Sequence, residues 1–195
     1  MGQEKTEIRR RVLSAIEALP PAERTARSAA AQKALVELPE FQAARAVFVY
    51  HADPTEVDTR AVMAEALRMH KRLGLPRVDK PSREMRVLEV ADLARDLVAD
   101  AFGIPAPRPE CPEIPAGEID LAIVPGRVFD AAGRRMGRGA GFYDRFLAKP
   151  DFRAIAVSLA FECQLVETVP SEPHDRNVAV LVTEARVLRP GGART

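Results

Sequence analysis

The sequence predicts an α/β fold, a three-layer α/β/α domain built on a mostly parallel sheet, and three observations predict it. Short apolar runs such as Ala46-Val47-Phe48-Val49-Tyr50 show no polar alternation, the pattern of a strand covered on both faces. These runs are interleaved with segments of helical periodicity, and that alternation favours a parallel sheet flanked by helices. At 195 residues the chain is of a size that one core can fill, so residues 1–190 are expected to form a single domain and 191–195 a frayed tail.

The first helix is expected over residues 3–19, stopped by Pro20-Pro21. At about 100° per residue, Ile8, Val12, Ile16 and Leu19 share one face. Lys5 and Arg9 fall inside that apolar sector, where each needs an anion or a route to water along its aliphatic stem. A second helix is expected from Pro21 to residue 38, since proline suits a first turn and the body is rich in alanine. The strand at 46–50 leads into a loop over 51–59 and a helix over 59–71. Further strands are expected at 73–75, 86–89, 121–124, 155–161 and 178–182. Residues 103–117 contain five prolines and read as an irregular loop. Open α/β sheets bind ligands at the carboxyl ends of their strands, which puts Tyr50, His51 and Glu56 in a favourable place.

With 29 basic and 28 acidic residues, the chain lacks the basic excess of a general nucleic-acid or membrane-surface binder. No long uncharged apolar stretch is present, and a cytoplasmic location with no membrane partner is expected. Cys111 and Cys163 belong to no Cys-x-x-Cys pair and read as free thiols, and the three histidines have no metal-ligand spacing.

The most informative stretch runs over residues 125–147. Five of the eleven glycines lie between Gly126 and Gly141, and Arg134, Arg135 and Arg138 stand among them. Glycine lets backbone N–H groups approach a ligand closely, arginines suit phosphate oxygens, and Asp144, at the start of a helix, suits a magnesium ion bridging them. The stretch is neither a Gly-Lys-Ser/Thr phosphate loop nor a dinucleotide fingerprint. A solvated glycine-rich turn is the competing reading. Asp175, after His174 in a polar loop, is either a turn-capping residue or a second magnesium carboxylate. Together these residues suit phosphoryl transfer, in which the protein positions reactants and neutralises charge.

From Lys5 to Glu184 the order of features resembles the 5-formyltetrahydrofolate cyclo-ligase family. The matching residues are Lys5-x-x-x-Arg9, Tyr50 through Glu56-Val57-Asp58-Thr59, Gly103-Ile104-Pro105-Ala106-Pro107 and Ile119-Asp120-Leu121. They continue with Val124-Pro125-Gly126-x-x-Phe129-Asp130, Phe142-Tyr143-Asp144-Arg145 and Val169-Pro170 with His174-Asp175. The resemblance implies an ATP- and magnesium-dependent ligase that turns 5-formyltetrahydrofolate into 5,10-methenyltetrahydrofolate, ADP and phosphate.

It further implies that Lys5 and Arg9 meet the nucleotide phosphates, and that Arg135, Met136, Gly137, Arg138, Gly139, Ala140, Gly141, Phe142 and Tyr143 wrap them. Arg138, Tyr143 and Asp144 take the catalytic positions, with Asp144 and Asp175 on magnesium. Tyr50, His51, Glu56, Arg138 and Phe142 contact the folate. The family often carries glycine or lysine at the position of Ala140, and tyrosine at that of Phe142. A monomer is expected. The rival readings are a sugar-phosphate isomerase or acyl-transferase of similar fold, and a non-catalytic folate- or nucleotide-binding regulator.

Overall fold

The computed structural model describes residues 2–79, 81–99 and 103–191; apart from Gly191, the expected tail lies outside the described residues. Three helices open the chain: α1 (Gly2–Glu17), α2 (Pro21–Val36) and α3 (Pro39–Ala43). Pro21 occupies the first turn of α2, where its missing N–H costs nothing. The helix expected to reach residue 38 stops at Val36, because Leu38 is extended ahead of Pro39 and serves as N-cap of the unforeseen α3.

Next come β1 (Ala46–Phe48), α4 (Arg60–Arg68), β2 (Arg72–Asp79), β3 (Glu84–Glu89), β4 (Leu97–Ala99) and β5 (Pro105–Pro107). The chain continues with β6 (Leu121–Ile123), β7 (Val128–Phe129), β8 (Arg135–Met136), α5 (Phe142–Leu147), β9 (Ile155–Leu159), β10 (Val180–Val182) and β11 (Val187–Leu188). No helix among the described residues is long and apolar enough to cross a membrane.

Seven strands form the main sheet in the order β11-β10-β9-β6-β1-β2-β3. The five inner strands are parallel, and β11 and β3 close the edges antiparallel. Successive side chains of a strand face opposite sides, and the sequence of β1 uses both. Val47 and Val49 pack with Val12, Ile16, Leu35 and Met63 in one core, whereas Phe48 joins Ala122, Phe129 and Phe146 in the other. Burial of a side chain such as Phe48 stabilises the fold by roughly 1.5–3 kcal/mol. This arrangement is the three-layer fold that the apolar runs predicted.

Two of the sequence expectations are corrected. Strand β2 runs well past the expected 73–75 because β3 pairs with it residue by residue from Gly74↔Glu89 to Asp79↔Glu84. Gly74 does not break the strand; a Cβ there would lie 2.4 Å from Val87 Cγ1, so glycine permits the close approach. The second correction concerns 103–117, which is not wholly irregular. Its Pro105–Pro107 segment pairs antiparallel with β4, in a separate two-stranded sheet where prolines can face away from the ladder.

Sheet connectivity locates the site. From β1 the chain proceeds to β2 and β3 on one side, and from β6 it proceeds to β9 and β10 on the other. The order therefore reverses between the neighbours β1 and β6, and their carboxyl ends open a crevice there.

Candidate active site

A cavity of about 980 Å³ occupies this crevice, and every site residue that the resemblance nominated lines it. Helix α1 contributes Lys5 and Arg9, the chain after β1 contributes Tyr50, His51 and Glu56, and the stretch from Arg135 to Asp144 forms one wall. Asp175 enters from the loop before β10.

The loop wall is built on a hairpin in which Phe129 pairs with Arg135 and Val128 with Met136. Buried Asp130 holds its turn: the carboxylate accepts from the N–H groups of Ala132, Arg134 and Val169 and from Arg134 Nε at 2.7 Å. Arg134 is thereby committed to Asp130 and does not line the cavity, unlike Arg135 and Arg138. Gly139 and Gly141 take φ of 97° and 69°, left-handed values that few other residues tolerate. Helix α5, which follows, has only six residues, so the cationic side chains and not a long helix dipole give this wall its positive character.

The two cations on the inward face of α1 point into this region. Arg9 Nε donates to the carbonyl of Gly137 at 2.8 Å. Lys5 Nζ donates to Glu172 Oε1 at 2.7 Å and lies 3.9 Å from Asp175 Oδ2. Across the wall, Arg135 is 3% exposed at its side chain and donates to Asp144 Oδ1 at 2.8 Å. Burial lowers its pKa, opposed by the nearby Asp144 carboxylate. Its Nε–H is buried without an acceptor among the described residues, which is rare for a polar group in a folded protein.

Asp144 also accepts from the N–H of Arg176, again through Oδ1, so Oδ2 has no protein donor among the described residues. Asp175 uses Oδ2 to accept from the N–H of Glu172 at 2.7 Å. The turn-capping reading of Asp175 therefore holds, and the same side chain also faces the cavity. Among the described residues no three His, Cys, Asp or Glu side chains gather into a metal cage. Magnesium typically needs only one or two carboxylates, with water and phosphate oxygens completing its shell. Asp144 and Asp175, each with an oxygen not committed to a backbone N–H, fit that requirement.

Aromatic side chains add apolar surface to the same cavity. Tyr143 stacks on Phe48 with ring centroids 5.9 Å apart and planes 9° from parallel. Tyr50 is 3% exposed, and burial holds its hydroxyl, like that of Tyr143, well above the ordinary tyrosine pKa. The Thr59 hydroxyl donates to the carbonyl of Tyr50 at 2.7 Å and accepts from the N–H of Ala52, which closes the loop between them. Burial pushes the Glu56 carboxyl up to about 7, although Arg127 opposes the shift. His51 is held below its usual pKa by desolvation, and its Nδ1 is buried without a partner among the described residues. The Phe142 ring lies under the Arg145 guanidinium, 5.2 Å from its centroid.

The sequence reading missed Asp53, Arg127 and Glu172, all of which line the cavity. Arg127 follows Pro125-Gly126 at the end of a predicted strand, and Asp53 sits three residues before Glu56; both positions were available as signals.

Known proteins resemble this chain in sequence and in fold. Residues 1–184 match the model of the 5-formyltetrahydrofolate cyclo-ligase family. The mitochondrial 5-formyltetrahydrofolate cyclo-ligase of Arabidopsis thaliana is 32% identical over 95% of this chain and 76% of its own. The Escherichia coli K12 5-formyltetrahydrofolate cyclo-ligase is 29% identical over 87% of this chain and 94% of its own. The solved Aquifex aeolicus 5,10-methenyltetrahydrofolate synthetase superposes with a TM-score of 0.85 at 34% identity, covering 98% of this chain and 95% of that one. A family match of this extent, joined to a closely similar fold, makes the chain a member of the 5-formyltetrahydrofolate cyclo-ligase family.

Proposed function

We propose that the chain catalyses the ATP- and magnesium-dependent cyclisation of 5-formyltetrahydrofolate to 5,10-methenyltetrahydrofolate, releasing ADP and phosphate. The observation that carries this reading is the meeting of helix α1 with the glycine-rich loop through Arg9, with Lys5 lining the same cavity. Residues more than a hundred positions apart form one cationic wall, with Asp144 and Asp175 beside it. One cavity of this size accommodates a nucleotide triphosphate and a pterin together.

The reaction needs ATP because a formamide oxygen is a poor leaving group. The formyl oxygen attacks the γ-phosphorus, the bond to the bridging oxygen breaks, and ADP departs. N10 then attacks the formyl carbon and loses its proton; the carbon–oxygen bond breaks and phosphate leaves with the former formyl oxygen. Magnesium held by Asp144 and Asp175 would offset the negative charge of the phosphate oxygens. Lys5, Arg9, Arg135 and Arg138 supply positive charge to the same oxygens. Tyr143, on its Phe48 shelf, and Arg138 flank the reacting formyl group.

On the folate side, Tyr50 and Phe142 form walls for the ring system, and His51 and Glu56 meet its polar edge. With a pKa near 7, Glu56 can donate or accept a hydrogen bond there at neutral pH. The reading is completed by a monomer acting in the cytoplasm, as expected from the sequence. The test is formation of the methenyl chromophore from 5-formyltetrahydrofolate by purified protein. Product is expected only when both ATP and magnesium are present; equal product without ATP would favour an isomerase-like chemistry and overturn the proposal.

A further inference from the structure

Asp53 stands where the two halves of the cavity meet. Its side chain is 12% exposed and gathers partners from three segments. Oδ1 accepts from the N–H and the hydroxyl of Thr55, which shapes the loop after β1. Oδ2 accepts from Arg127 at 2.9 Å, and Arg127 also contacts the Thr55 hydroxyl. The same Oδ2 pairs with Arg138 of the glycine-rich loop. Arg138 also lies 3.9 Å from Glu56 Oε1, again through Nη2.

We propose that Asp53 is a positioning residue that fixes Arg138 between the nucleotide and the folate, with Arg127 bracing the same carboxylate oxygen. The inference rests on the proposed cyclo-ligase reading. A guanidinium carries five N–H donors in a rigid fork, so anchoring one corner on a carboxylate orients the rest. An unanchored Arg138, at a side chain 53% exposed, would sample many rotamers and meet the reacting oxygens only part of the time. Arg127 matters because it offsets the charge of Asp53, so that carboxylate and Arg138 do not simply neutralise each other next to an anionic ligand. Asp53 itself touches neither substrate in this account and acts through Arg138.

The experiment is a double-mutant cycle on the full chain with Asp53→Asn and Arg138→Ala, read as kcat and KM for each substrate. Asparagine retains an oxygen for the Thr55 N–H, so the loop keeps its turn. Asp53→Asn is expected to lower kcat roughly tenfold to a hundredfold, the usual cost of a misplaced reacting group, with KM for ATP changed by less than about threefold. On the Asp53→Asn background, Arg138→Ala should cost much less than it does alone, since the two residues act as a unit. Losses that multiply independently would overturn the proposal, as would a kcat for Asp53→Asn equal to wild type. If Asp53→Asn fails to melt cooperatively, the same cycle with Asp53→Ser, which also removes the charge, applies the same criterion. Failure of the underlying reading looks different, because the wild-type chain would then form no methenyl product at all.

Discussion

Arg9 Nε donates a hydrogen bond to the carbonyl of Gly137 at 2.8 Å, joining the amino-terminal helix to the glycine-rich loop across 128 positions of sequence. The helical wheel had placed Arg9 on an inward face with no evident partner, and this contact supplies one. The same side chain lines the cavity to which the phosphates are assigned.

Replacing Arg9 with alanine should therefore weaken ATP binding more than folate binding. A charge-assisted contact contributes about 1.5–3 kcal/mol, so the dissociation constant for an ATP analogue should rise roughly tenfold to a hundredfold. Calorimetry with each ligand separately checks this. Equal losses for both ligands would mean that Arg9 only holds the loop together.

Asp144→Asn should abolish product formation and also cost stability. The carboxylate is the ion-pair partner of the nearly inaccessible Arg135, and its loss leaves a buried cation without a counter-charge. Because Asp144 is itself partly exposed and asparagine can still accept a hydrogen bond, the expected loss is about 1–3 kcal/mol. Urea unfolding measures it. A variant inactive at unchanged stability would show that Arg135 finds another partner.

Glu56 makes the fold sensitive to pH in a defined direction. Its carboxyl titrates near 7 in the folded chain and at the ordinary 4.5 when unfolded, so the folded state holds the proton longer. Its contribution to stability therefore falls as pH rises from about 4.5 to 7, and above 7 the buried charge is a full penalty. Glu56→Gln should stabilise the protein by about 1–3 kcal/mol at pH 8 and by almost nothing near pH 4.5, in unliganded protein. Thermal melts across that range provide the comparison, and a gain independent of pH would contradict the shift.

Gly126, in the turn after β6, owes its place to packing. A Cβ there would stand 2.4 Å from Phe129 Cζ and 2.8 Å from its Cε1, and Phe129 is fully buried. Gly126→Ala should destabilise the fold by about 1–3 kcal/mol as the ring is displaced. A melting temperature within one degree of wild type would show that the ring can move aside.

Much of the layered fold was legible because its central strands are buried on both faces, and uninterrupted apolar runs record that burial directly. The edges were less legible. Strand β2 passes through Gly74 and Pro76, and β5 is Pro105–Pro107, so local propensity argues against strands that pairing with β3 and β4 nevertheless stabilises. In the site, Lys5, Arg9 and the glycine-rich loop could be read because inward cations and clustered glycines are unusual in sequence. Asp53 and Arg127 were passed over despite their positions near Glu56 and a strand end, since a charged residue in a polar loop looks the same whether it faces solvent or, as here, another loop. Arg134 showed the converse error: its place among the glycines suggested a phosphate ligand, yet it serves the buried Asp130.

Following the formyl oxygen through the reaction tests the central claim most directly. With a heavy-oxygen label in the formyl group of 5-formyltetrahydrofolate, mass spectrometry of a single-turnover reaction should find one labelled oxygen in the released phosphate for each methenyl product formed. Label appearing in water, with unlabelled phosphate, would mean that the formyl oxygen is never phosphorylated and would contradict the account.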